Sequence, residues 1–289
     1  MDCIENLNLN ERTRKMGAEY ILNSATFRKR WGLQKFLEAC HTRNVRKAGV
    51  WGDDIRKVGV KTASSLMADH QVEPFGYNRA GPLLASDASG RGKLLDMARH
   101  EIDDAVSVGA DHILVFPGGL APKSKDLAEG RAQTLDAIGT LLNHAQEVGM
   151  TLALEPLHPM LCGDRTCITT LRHANEICAQ FARKNIGVVI DTYHVWWDET
   201  LASEIARTAR ENRILSFHVN DWLVPTTHLL TDRGMMGDGI IDLHGIWQIV
   251  KASGYSGPIE VEIFSERWWD EDPDMVFDLA LERCRKIFD

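Results

Sequence analysis

Four segments of this chain carry, at or near the end of an apolar run, a group that can bind a metal or move a proton. Glu155 closes Thr-Leu-Ala-Leu-Glu and Asp191 closes Gly-Val-Val-Ile-Asp; His218 lies in Ile-Leu-Ser-Phe-His-Val and Glu262 in Pro-Ile-Glu-Val-Glu-Ile. Charges in such places are costly to bury without a partner. Taken singly, an aspartate there often caps the next helix, and a histidine is often a hydrogen-bonded core residue. Four on four successive apolar segments are better explained jointly, as a ligand set of three carboxylates and one imidazole. Its oxygen-rich character fits Mn²⁺ best, with Mg²⁺ close behind; Co²⁺, Fe²⁺ and Zn²⁺ also accept such donors.

The neighbours of these residues extend the chemistry. His158 and His194 each follow a candidate ligand by three residues, in loops suited to contacting substrate hydroxyls or to bonding within the loop. Glu260 competes with Glu262, because side chains two apart share a strand face; Glu262 is preferred as the one nearer the C-terminal end. Asp221 competes with His218 but falls past its strand. Trp196, Trp197, Trp222, Trp268 and Trp269 follow the same segments and could pack against the apolar face of a sugar. The stretch Asp232–Asp242 (DRGMMGDGIID) reads as a shaped loop able to fold over the site, and Arg267 as a rim ion pair.

Groups on four separate segments meet only if the segment ends converge. Strands are expected at Glu19–Ser24, Lys47–Trp51, Gln71–Gly76, His112–Phe116, Thr151–Glu155, Gly187–Asp191, Ile214–Val219 and Pro258–Ile263, with helical patterns between them. Near-continuous apolar strands alternating with helices indicate a parallel sheet covered by helices. An open doubly wound sheet would need a glycine-rich loop after its first strand, and residues 24–33 (SATFRKRWGL) contain none. The expected fold is therefore a single (β/α)₈ TIM barrel spanning residues 1–289. In that fold the strand C-termini share one mouth, where catalytic groups gather.

Bulk properties narrow the partners. A formal net charge of -8 argues against nucleic acid, and the basic stretch from Arg28 to Lys47 reads as a solvated helix face. No run approaches the ~18 apolar residues of a membrane span. The opening MDCIENLNLN has neither the basic nor the apolar region of a secretory signal. The six cysteines are scattered and need no disulfide framework. These features predict a cytoplasmic protein with reduced thiols and no membrane partner. A symmetric homo-oligomer would be ordinary for such a barrel.

At the residues quoted above the chain resembles the xylose-isomerase-like barrels, the sugar phosphate isomerase/epimerase group. That group includes ketose 3-epimerases, inosose isomerases and dehydratases, and the endonuclease IV branch. The resemblance is strongest from Leu152 to Phe264, and its metal ligands fall on Glu155, Asp191, His218 and Glu262; its substrate-contacting histidine falls on His194. It implies a sugar or polyol substrate and proton abstraction beside a carbonyl through a metal-stabilised enediolate. Glu155 and Glu262 would exchange the proton, with His194 and His158 assisting. Two departures stand out. The epimerases continue their first motif as Glu-Pro-Leu-Asn-Arg where this chain has His158 and Pro159, and they carry an arginine soon after the histidine where this chain reads Asp221-Trp222-Leu223-Val224-Pro225. These departures keep a second outcome open: a lyase or dehydratase acting by β-elimination on a keto-sugar, an inosose or a 3-keto-glycoside, with a hetero-partner expected if it is a deglycosidase.

Overall fold

The computed structural model describes residues 18–289; the reading of the opening decapeptide, and Cys3 within it, lie outside those residues. Eight parallel strands close into a barrel. They are β1 (Tyr20–Asn23), β2 (Lys47–Trp51), β3 (Glu73–Ala80), β4 (His112–Val115), β5 (Leu152–Leu154), β6 (Ile186–Asp191), β7 (Ile214–Val219) and the final strand Ile259–Val261, which pairs with both β7 and β1. Strands β4, β5 and β6 are buried along their whole length, as the uninterrupted apolar segments require when helices cover the outside and side chains fill the inside.

Helices follow the strands, and short polar side chains start them. Asp87, Asp126, Thr170, Asp242 and Asp272 each accept a backbone N–H from the first turn of the helix that follows. The helices Ala88–Val108 and Leu127–Val148 stop at Gly109 and Gly149, both left-handed. The single helix expected between β2 and β3 is two, Gly52–Val58 and Val60–His70, divided at Gly59 with φ +85°.

Strand β3 departs most from expectation: it begins at Glu73 and continues to Ala80, four residues beyond Gly76. The apolar pattern lapses there, but pairing does not. Tyr77 and Asn78 align with Ile113 and Leu114 of β4, and the Tyr77 hydroxyl donates to Glu101. Backbone pairing therefore carries the strand past its apolar stretch and brings Asn78 and Arg79 to the mouth.

Polar groups also sit inside the barrel. Glu260 is fully buried, and Asn23 Nδ2 of β1 donates to its Oε1 at 2.7 Å. Gly49 of β2 faces this pair: a Cβ there would lie 1.9 Å from Glu260 Oε1 and 2.6 Å from Asn23 Nδ2. Glycine is thus the residue that leaves room for the buried carboxylate. Gly49→Ala should destabilise the protein by roughly 2–4 kcal/mol, combining overpacking with a disrupted buried hydrogen bond. Urea unfolding read by circular dichroism measures this, and an unchanged midpoint would refute the account.

Candidate metal centre

Glu155 directly follows β5, Asp191 ends β6, His218 lies in β7, and Glu262 follows the final strand. Each of the four offers a ligand atom, and these atoms all lie within 4.8 Å of one another. His218 Nδ1 is 3.7 Å from Glu155 Oε1 and 3.8 Å from Glu262 Oε2. Both His218 Nδ1 and Glu155 Oε1 are buried without a hydrogen-bond partner. Donor atoms turned toward one another, with no hydrogen bond joining them, fit a cation shared among them.

The electrostatics agree. Burial, reinforced by Glu262 and Asp191, pushes the Glu155 carboxyl up to about 8. Burial also opposes ionisation of Asp191, but the Arg233 guanidinium, aided by the nearby histidines, outweighs it and holds the pKa below its usual value. For His218, burial works against the charged form, yet Glu260 and Glu262 hold its pKa well above the ordinary range. The cluster itself thus holds more carboxylates than cationic partners.

A second layer fixes these groups. Glu260 lies beneath His218, with Oε2 3.3 Å from Nε2, so each strand-end glutamate has its own place: Glu262 at the mouth, Glu260 behind the imidazole. Asn220 Nδ2 donates to Asp191 Oδ1 (2.9 Å) and to the Glu262 carbonyl (3.1 Å), while the backbone N–H of Tyr193 donates to Asp191 Oδ1 (2.8 Å). Asp191 therefore caps the short helix Thr192–Val195 and belongs to the ligand cluster as well.

Asp221 serves the loop and is not part of the cluster. Its carboxylate accepts backbone N–H groups from Gly237, Gly239 and Ile241 at 2.9, 2.9 and 3.1 Å. Gly239 sits so close that a Cβ would meet the Trp222 carbonyl at 2.2 Å. The loop expected to fold over the site is pinned along its length, and a two-residue ribbon pairs Asp221–Trp222 with Arg233–Gly234.

That ribbon delivers Arg233, the residue sequence reasoning missed. Its Nη1 donates to Asp191 Oδ2 (2.9 Å) and to Glu262 Oε2 (3.1 Å), and Arg233 is itself buried. It lies fifteen positions after His218 in the chain. The signal was present as Asp-Arg-Gly, but the glycines and acids of the loop drew the reading instead.

His194 Nδ1 accepts the backbone N–H of His158 at 3.1 Å. Burial, with Arg233 adding to it and Asp191 opposing, lowers the His194 pKa to about 3, so the ring is neutral. On its other side the ring meets Arg233, whose Nη2 donates toward His194 Nε2 at 3.2 Å.

They border a cavity of about 150 Å³ lined by Glu155, Glu262, His194 and Arg233 together with Trp51, Phe116 and Phe264. His158 stands behind His194, its ring stacked on Trp222 at 4.6 Å. The tryptophans expected at the mouth are set back from it: Trp196 and Trp222 pack together, Trp197 edges His158, and Trp269 meets Phe264 while donating to the Ala25 carbonyl. Trp51, from β2, takes the wall position. Arg267 lies over Trp268 at 4.6 Å, without the expected rim ion pair among the described residues.

Residues 29–286 match the family described as the xylose isomerase-like TIM barrel. The chain belongs to that family. Protein SMc04130 from Sinorhizobium meliloti 1021 has a crystal structure similar to this one, with 40% identity and a TM-score of 0.91, over 93% of this chain and 98% of that one. A ketose 3-epimerase from Arthrobacter globiformis is 24% identical over 71% of this chain and 68% of its own length. An inosose isomerase from Halalkalibacterium halodurans is 23% identical over 86% of this chain and 88% of its own. A four-residue ligand cluster at the mouth of this family's barrel makes the chain a divalent-metal-dependent enzyme. No helix among the described residues is long and apolar enough to cross a membrane.

The Glu260 carboxylate lies behind His218, where it would orient the imidazole and strengthen it toward a metal. Glu260→Gln should therefore weaken divalent-metal binding roughly 10–100-fold while leaving all four cluster residues in place. Calorimetric titration of metal into the stripped protein provides the measurement; an unchanged dissociation constant would show that Glu260 only fills space.

Proposed function

We propose that the protein is an isomerase or epimerase of a small sugar or keto-sugar, working by proton transfer at a carbon next to a carbonyl. The observation that carries this reading is the ligand cluster with Glu155 and Glu262 both lining one cavity. A divalent ion held by Glu155, Asp191, His218 and Glu262 would draw electron density from the substrate carbonyl and lower the cost of removing the neighbouring proton. The oxygen-rich donor set supports Mn²⁺ as that ion.

The chain's own residues then divide the work. Glu155 and Glu262 reach the cavity from strand ends separated by β6 and β7. Two carboxylates on different sides of a reacting carbon can take a proton from one face and return it on the other, inverting that centre. Returned to the adjacent carbon, the proton completes an isomerisation. The Arg233 guanidinium, held against His194, Asp191 and Glu262, suits an oxygen that gains negative charge as the proton leaves. Placed before the substrate arrives, it needs little reorganisation. Asp191 and His218 would hold the metal, and His158 orients His194 through its backbone N–H. The reduced state of the described cysteines supports work in the cytoplasm, and the acidic balance supports a small-molecule substrate over nucleic acid.

Elimination shares the same first step whenever the next carbon bears a leaving group, so the product separates the two chemistries. With Mn²⁺-supplemented protein in D₂O and a panel of ketoses, inososes and 3-keto-glycosides, proton NMR should show deuterium entering a recovered sugar or its epimer. The exchange should fall at least ~10³-fold in Glu155→Gln and Glu262→Gln, as expected for loss of a proton-transfer group. Metal analysis of each variant separates a lost base from a lost ion. An unsaturated product or a released aglycone would replace this reading with a lyase.

A further inference from the structure

Three more arginines line the cavity that holds the carboxylates: Arg28 after β1, Arg79 in β3, and Arg165 after β5. Several arginines elsewhere meet acids: Arg43 pairs with Asp278, Arg213 with Glu211 and Arg283 with Asp238. Two of those in the cavity pack against aromatic rings. The Arg28 guanidinium lies 4.7 Å from the ring centres of both Trp51 and Phe264, and that of Arg79 lies 3.9 Å from Phe116. Among the described residues neither guanidinium has an ion-pair or hydrogen-bond partner, and Arg165 touches only its neighbour Asp164, at 3.3 Å.

Arg79 is half-buried, while Arg28 and Arg165 are exposed. Burial lowers the pKa of Arg79, and the positive charges of Arg165 and Arg28 lower it further, against the pull of Asp53 and Glu101. Aromatic stacking fixes the planar groups yet leaves their N–H edges free, the geometry that suits a bidentate oxyanion. The same wall carries Asn78, almost fully buried, whose Nδ2 has no hydrogen-bond partner. The basic stretch expected to be a solvated helix face thus begins with a residue that belongs to the pocket.

We infer that the substrate bears an anionic group, a phosphate or a carboxylate, that Arg28, Arg79 and Arg165 hold while its reacting carbons face the Glu155–Asp191–His218–Glu262 cluster. The inference rests on the proposed function only in taking this cavity as the place where substrate binds. It narrows the substrate from sugars in general to phosphorylated sugars or sugar acids.

Calorimetric titration of the full chain, loaded with Mn²⁺, tests it with three six-carbon probes: D-glucitol, D-glucitol 6-phosphate and D-gluconate. At least one anion should bind roughly tenfold or more tightly than glucitol, the gain expected when charged donors find their acceptor. Preference for the phosphate would indicate a phosphorylated substrate, and preference for gluconate a sugar acid. The margin should collapse in Arg28→Gln and Arg79→Gln; Arg165→Gln, at an exposed position, serves if Arg79→Gln does not fold by circular dichroism. Equal binding of all three probes, failure of both anions to bind, or an anion preference that survives in every folded arginine variant would overturn the inference. Binding needs no turnover, so its failure is distinct from that of the proton-transfer reading. Deuterium exchange into neutral ketoses without anion preference would remove the arginine proposal alone, and anion preference without exchange into any sugar would remove the reaction alone.

Discussion

Four carboxylates, Glu155, Asp191, Glu260 and Glu262, crowd around one imidazole at the end of a barrel whose walls exclude water, and the surrounding structure is arranged to make that tolerable. Unpaired, such charges would neutralise themselves by taking up protons or would unfold the site. Each has instead a distinct compensation. Glu260 receives Asn23 and approaches His218. Asp191 receives the Tyr193 N–H, Asn220 and Arg233. Glu262 shares Arg233. Glu155 receives least, and its carboxyl is the one pushed upward. Arg233 alone cannot balance the set, which is why a divalent cation completes it.

The barrel meets this requirement through register. Asp191 aligns with His218 across β6 and β7, and Glu260 aligns with His218 across β7 and the final strand. A shift of one residue in either pairing would move the wrong side chain into the mouth. Gly49 of β2, two strands from Glu260 around the barrel, belongs to the same constraint, because its missing side chain gives Glu260 room to stay inside. The interior is therefore a stack of polar groups at one end of an apolar core, with each strand contributing at a fixed height.

Most of this was legible in the sequence because strand and site reinforce each other. An apolar run fully buried on both faces is easy to read, and a charge at its end is conspicuous against it. The four residues of the cluster and the eight strands were visible for that reason. Arg233 was not, because nothing local distinguishes a buried arginine on a loop from a solvated one; its role comes from an antiparallel ribbon and from Asp221 binding three backbone N–H groups of the same loop. Strand β3 was cut short for a related reason: Asn78 and Arg79 look like the start of a loop, and only pairing with β4 shows otherwise. The tryptophans were overread. Their abundance suggested a sugar platform, whereas Trp222 supports His158 and Trp269 is tied to the backbone of Ala25.

Charge on the whole chain and charge in the pocket tell different stories. The net charge of -8 turns attention from nucleic acid, since that partner meets the outer surface. A small molecule meets only the cavity, where the acids are committed to Arg233, His218 and a metal. What remains uncommitted there is cationic: Arg28 and Arg79, stacked on aromatic rings and lacking acceptors. Field lines in a low-dielectric cleft follow the nearest unbalanced charges and not the molecular total. The acidic ligand cluster and the arginine wall thus define two poles of one pocket, one that favours a metal-bound carbonyl and one that favours an oxyanion. A ligand with both features is oriented by the field before it makes any close contact, and a neutral sugar would have only one pole to read.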